Sequence, residues 1–144
     1  MDIVTSQEFP AMPGDDPIQL RDTPWSVRLS RASQGRTALE IYDSEHVVAI
    51  VVPTDLITET LLGALGGMRA DRRHITLAWG VLKSGQDAPP DVTFHRRRRL
   101  GNASSKGAGL LIGDRFWLSV AEGRFAAATA LRSDGAVERR AVLR

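Results

Sequence analysis

The sequence predicts an α+β protein, because its two halves carry different patterns. Residues 18–65 read as strand, helix, hairpin and helix. Residues 75–144 read as a mostly antiparallel β meander, with apolar alternation broken by glycine turns. With 144 residues and 42% apolar content, the chain can bury a core as one domain or two very small ones. The expected division is a flexible tail at 1–17, an αβ unit at 18–68 and a β unit at 75–144.

The tail holds Pro10, Pro13 and Pro17 with Gly14-Asp15-Asp16, a composition of irregular chain. Ile18-Gln19-Leu20 is a short strand. Thr23-Pro24 then reads as an N-cap with proline at the first helical position, and Gly35 as a C-terminal stop. Trp25, Leu29 and Ala32 fall at helical spacing. Trp25, Val27 and Leu29 also alternate, which keeps a strand open; the two end signals favour the helix.

Thr37–Tyr42 and Val47–Val52 are β-branched or aliphatic runs joined by Asp43-Ser44-Glu45-His46, so they read as an antiparallel hairpin. The second run is apolar at nearly every residue, which is expected of a strand covered on both faces. Pro53 cannot donate to a ladder and ends it. Thr54 or Asp55 would cap a helix over 56–65 with Ile57 or Thr58, Leu61, Leu62 and Leu65 as its apolar stripe, stopped by Gly66-Gly67. Val48, Ile50, Val52, Leu61 and Leu65 are the candidate dimer or core contacts, because this unit has more apolar surface than it can cover alone.

Ile75, Leu77, Trp79 and Val81 alternate and predict a half-buried strand. Residues 84–90 are a loop, and Val92 and Phe94 open another strand. Gly101–Gly109 is small and polar, the composition of a mobile loop. Three β segments follow, at 110–120, 124–131 and 137–143. Glu122-Gly123 and Ser133-Asp134-Gly135 read as hairpin turns between them.

The chain has no cysteine, which removes disulfides, thiolate metal sites and cysteine nucleophiles. No run reaches the roughly 18–20 apolar residues of a membrane span, and the first ten residues lack the pattern of a secretory signal, so a cytoplasmic setting is expected. Charge is unevenly spread. Residues 1–64 hold 4 Arg against 10 Asp/Glu, whereas residues 65–144 hold 13 Arg and 2 Lys against 7 Asp/Glu. This asymmetry points to an anionic partner for the second half, or to attraction between halves.

The order of elements at 18–65, with the run Val47-Val48-Ala49-Ile50-Val51-Val52-Pro53-Thr54-Asp55-Leu56 and with Gly35 before the hairpin, resembles the N-terminal domain of the Phd/YefM antitoxins. The resemblance implies a dimeric, non-enzymatic regulator that binds operator DNA and neutralises a protein partner, a toxin. The acidic charge of this half runs against a DNA-contacting surface. Gly113-Asp114-Arg115-Phe116-Trp117-Leu118, Glu122-Gly123-Arg124-Phe125 and Asp134-Gly135 look like small SH3-like barrel modules. That resemblance implies a peptide- or protein-binding adaptor without a nucleic-acid role.

Arg96, Arg97, Arg98 and Arg99 are the strongest charge signal, as phosphate contacts or as charges guarding an edge strand. Arg72 and Arg73 extend the set, and Arg28 and Arg31 would lie one turn apart on the first helix. His46, His74 and His95 show no metal-ligand spacing. Neither a nucleophile elbow nor a phosphate loop is present. No catalytic residue, metal or cofactor is expected.

Overall fold

A computed structural model describes residues 6–9, 12–54, 58–83, 86–98 and 101–144; residues 6–9, 97, 98, 101 and 102 are described by their backbone alone. Among them there is no α-helix. The architecture is all-β, so the α+β expectation is corrected, and with it the likeness to the helical Phd/YefM domain.

The N-terminal sheet contains β2 (Ile18–Gln19), β3 (Trp25–Arg31), β4 (Thr37–Asp43) and β5 (His46–Val51), in that order and all antiparallel. The predicted first helix is the strand β3. Trp25, Val27 and Leu29 are buried while Ser26, Arg28 and Ser30 face outward, a strict period of two. The Thr23-Pro24 signal serves the turn instead: the Thr23 hydroxyl donates to the Leu20 carbonyl, and the Trp25 N–H donates to Thr23 Oγ1. Gly35 ends only a single 3-10 turn, Ser33–Gly35. The hairpin forms where the sequence places it, with a β-bulge facing Ile41/Tyr42.

The central sheet contains β6 (Leu61–Met68), β7 (His74–Val81), β10 (Ala108–Ile112) and β11 (Phe116–Glu122), with β1 (Ser6–Phe9) parallel to β10. The third sheet contains β8 (Asp91–Arg98), β9 (Gly101–Lys106), β12 (Ala127–Leu131) and β13 (Val137–Ala141). The predicted second helix falls on β6 and on residues 55–57, which lie outside the described residues. Its glycine stop, Gly66-Gly67, is inside the strand. The predicted mobile loop at 101–109 is β9 and the start of β10. Glu122-Gly123 is not a hairpin turn, because β11 pairs with β7 and β12 with β8. Part of the tail is ordered, as β1.

Two apolar cores result. The first lies between the N-terminal and central sheets and joins Trp25, Val27, Leu39 and Ile41 to Leu77, Trp79, Phe116 and Leu118. The second lies between the central and third sheets, around Leu61, Val92, Phe94, Trp117, Phe125 and Ala128. These two sheets meet along both sides. On one side β9 bends through Gly107 into β10, with the Gly107 N–H donating to the Val92 carbonyl. On the other, the Gly66 N–H donates to the Leu143 carbonyl and the Leu143 N–H to the Ala64 carbonyl. Together they close a barrel, and the N-terminal sheet is laid on its outside. Glu138 from β13 holds the start of β6: its buried carboxylate accepts the N–H groups of Thr60 and Leu61, each at 2.8 Å.

Candidate functional site

The strand β5 is the outer strand of the N-terminal sheet, and no described strand pairs with its free side. Its inward residues Ala49 and Val51 meet Ile41 and Leu39 over the first core. Val47, Val48 and Ile50 are instead 50%, 39% and 59% exposed. From Val47 to Thr54 no side chain carries a charge. Such an edge presents unpaired backbone donors and acceptors beside apolar side chains, which is a template for another strand.

Beside this edge the outer face carries a polar network. The guanidinium of Arg28 donates to Glu40 Oε1 from Nε at 3.0 Å and from Nη2 at 2.7 Å. The Tyr42 hydroxyl donates to the same oxygen. Strand pairing sets this up, since Arg28 lies opposite Glu40, and Ile50 lies opposite Glu40 from the other side. The Tyr42 hydrogen bond, with Arg28 adding to it against desolvation, holds the Glu40 carboxyl below its ordinary range. The same hydrogen bond raises the Tyr42 phenol, and Glu40 raises Arg28. The network fixes the Tyr42 ring next to Val47, its register partner.

The sequence-predicted residues scatter differently. Val48 and Ile50 are on the exposed edge, and Val52 is half-buried just beyond it. Leu61 is fully buried in the barrel and Leu65 packs on the first core, so both serve the interior. Arg28 and Arg31, three apart on a strand, are on opposite faces; they do not form the one-turn pair expected of a helix. Arg73 pairs with Glu122 at 3.2 Å, and Arg72 is exposed in the turn before β7. Arg96 is half-buried with its guanidinium 5.7 Å from the Phe125 ring centre. Arg97 and Arg98 continue β8, and Arg99 is outside the described residues. The Arg28–Glu40–Tyr42 network was not foreseen. Its signal was the alternation of β3, which the helix reading set aside.

Among the described residues, one cleft of about 270 Å³ is lined by Gly35, Arg36, Thr37, Pro53, Asp114 and Arg115, and another of the same volume by Asp22, Thr23 and the turn at 69–71. Both are open, and fall below the roughly 300–1,000 Å³ of ordinary ligand pockets. Among the described residues no cluster of three or more His, Asp or Glu is placed to hold a metal. No described helix is long and apolar enough to cross a membrane. The all-β fold overturns the DNA-binding antitoxin expectation, since the helices that define it are absent among the described residues. Compared with known protein families, curated proteins and solved structures, the chain matches none.

Proposed function

We propose that the protein is a non-enzymatic peptide- or protein-binding adaptor built on a β-barrel, and that it takes an extended segment of its partner along the free side of β5. The reading is supported chiefly by one observation: β5 is a six-residue edge strand with exposed valine and isoleucine and no lysine, arginine, aspartate or glutamate to guard it. The other described edges are managed: β1 has only four residues, Glu8 among them. The strand β2 has two residues next to Pro17. The strand β9 is small and polar and ends in Lys106, β13 carries Glu138, Arg139 and Arg140, and β6 is tied to Leu143. In strand addition, backbone hydrogen bonds supply affinity and alternate side chains supply selectivity. Here Val47, Val48, Ile50 and the fixed Tyr42 ring would read the partner's alternate residues. A cytoplasmic setting is part of the proposal; the fold stands without disulfides.

Selection from a displayed peptide library tests it. The expected winners are extended, β-branched peptides, and Ile50→Lys is expected to weaken them at least about tenfold while leaving the melting temperature unchanged, because Ile50 is exposed. Peptides that bind the variant equally well would sink the reading. The same strand is where two copies would pair, so the mass in solution of wild type against Ile50→Lys shows whether a second copy is the natural occupant.

A further inference from the structure

Arginines far apart in sequence come together at one end of the barrel. The turn between β6 and β7 carries Arg69, Arg72 and Arg73. The loop between β11 and β12 begins at Glu122, which pairs with Arg69 at 3.4 Å and Arg73 at 3.2 Å. Three residues further on is Phe125, and three residues of chain span at most about 10 Å. Phe125 lies under the Arg96 guanidinium, and its carbonyl accepts from Arg144 Nη2 at 3.1 Å. Val92, Phe94 and Arg96 share one face of β8, so Arg96 stands at the mouth of the barrel above the second core.

Among the described side chains, six arginines thus meet two carboxylates, Asp71 and Glu122. Both carboxylates are taken by Arg69 and Arg73. Among the described residues no carboxylate pairs with Arg72, Arg96, Arg124 or Arg144. Arg96 Nε is buried without a hydrogen-bond partner, and a buried polar group without one is the place to look for a missing ligand. Arg72 and Arg124 are exposed on either side.

We propose that this end of the barrel is a second binding surface, separate from β5, and that it takes an acidic, carboxylate-rich peptide segment. The free guanidinium groups are separate points, each suited to a bidentate carboxylate. Asp71 and Glu122 break the patch into such points, whereas a phosphodiester backbone is followed by a continuous cationic groove. Phe125, the ring beneath Arg96, is 3% exposed and offers no face to stack a base on.

The experiment measures binding of a labelled poly-glutamate peptide to the full chain. Affinity is expected to fall steeply as salt rises. The triple variant Arg72→Ala/Arg96→Ala/Arg124→Ala is expected to lose at least about tenfold. Because Arg96 packs on Phe125, the double variant Arg72→Ala/Arg124→Ala, which removes only exposed groups, is the second arm, with an expected loss of about fivefold. Arg36→Ala, at the opposite end, is expected to change nothing, and Ile50→Lys likewise. Undiminished binding by both arginine variants overturns the proposal. So does absence of binding at low salt. A single-stranded oligonucleotide of equal charge that binds more tightly than the peptide overturns it in favour of a phosphate surface.

Discussion

Glu40 shows how a single side chain reports its surroundings. Its carboxyl is held low by the Tyr42 hydroxyl first, and then by Arg28. A carboxyl lowered in the folded state stabilises the fold above its unfolded value of about 4.3, and that contribution disappears as pH falls through the lowered folded value. Tyr42→Phe removes the largest cause. The variant is therefore expected to be less stable than wild type at pH 7, with the gap closing below about pH 4. Urea unfolding at a series of pH values measures it; a gap that stays constant with pH would show that Glu40 is not the group involved. The alternation of β3 is legible in the sequence, but its pairing partners are not. Arg28 and Glu40 are twelve residues apart, and only the register of β3 on β4 sets them face to face. Glu138 was hidden for the same reason: within Val-Glu-Arg-Arg it reads as a surface charge, yet alternation turns it inward onto two backbone amides.

Among elements, β6 and β3 were hidden for different reasons. Helix and strand are told apart by period, and strands covered on both faces lose theirs. The strand β6 sends Leu61 and Ala64 to the second core and Leu62 and Leu65 to the first, with an irregularity between Leu61 and Gly63. That spacing imitates a helical stripe. Gly66-Gly67 reads as a helix stop, but Gly67 makes room for the Trp25 indole, as Gly63, inside the expected helix, does for Trp79. Gly80 on β7 is similarly placed against Trp117 and the Thr60 carbonyl. A methyl at Gly80 would meet backbone that cannot turn aside. Gly80→Ala is thus expected to destabilise by about 1–3 kcal/mol or more, as overpacking does; a shift of chemical denaturation midpoint measures it, and an unchanged midpoint would mean that the indole and β6 yield freely. The strand β3 keeps its alternation in the sequence, but Thr23-Pro24 and Gly35, which suit the ends of a helix, suit a tight turn equally well.

For the whole molecule, the central sheet is the organising layer. The strand β7 is buried at seven consecutive residues because Ile75, Leu77, Trp79 and Val81 serve one core while Thr76, Ala78 and Gly80 face the other. Because β7 and β11 belong to both cores, neither core can dissolve without stripping a face of the other. Unfolding is expected to be a single transition, with near-ultraviolet circular dichroism and hydrogen exchange of β3 and β12 amides giving the same free energy. A separate early loss of β3 protection would show that the N-terminal sheet is an independent unit. By itself the sequence determined the hairpin 37–52, the β character of the second half, the strand at β7 and the charge asymmetry, since these rest on local composition, turn residues and short-range alternation. Only the tertiary structure decided that the ambiguous apolar runs are strands and that β5 stays an open edge. It alone brings Arg72, Arg96, Arg124 and Arg144 to one end. Each of those depends on which faces are covered and which strands are neighbours, and long-range pairing is not written in any local pattern.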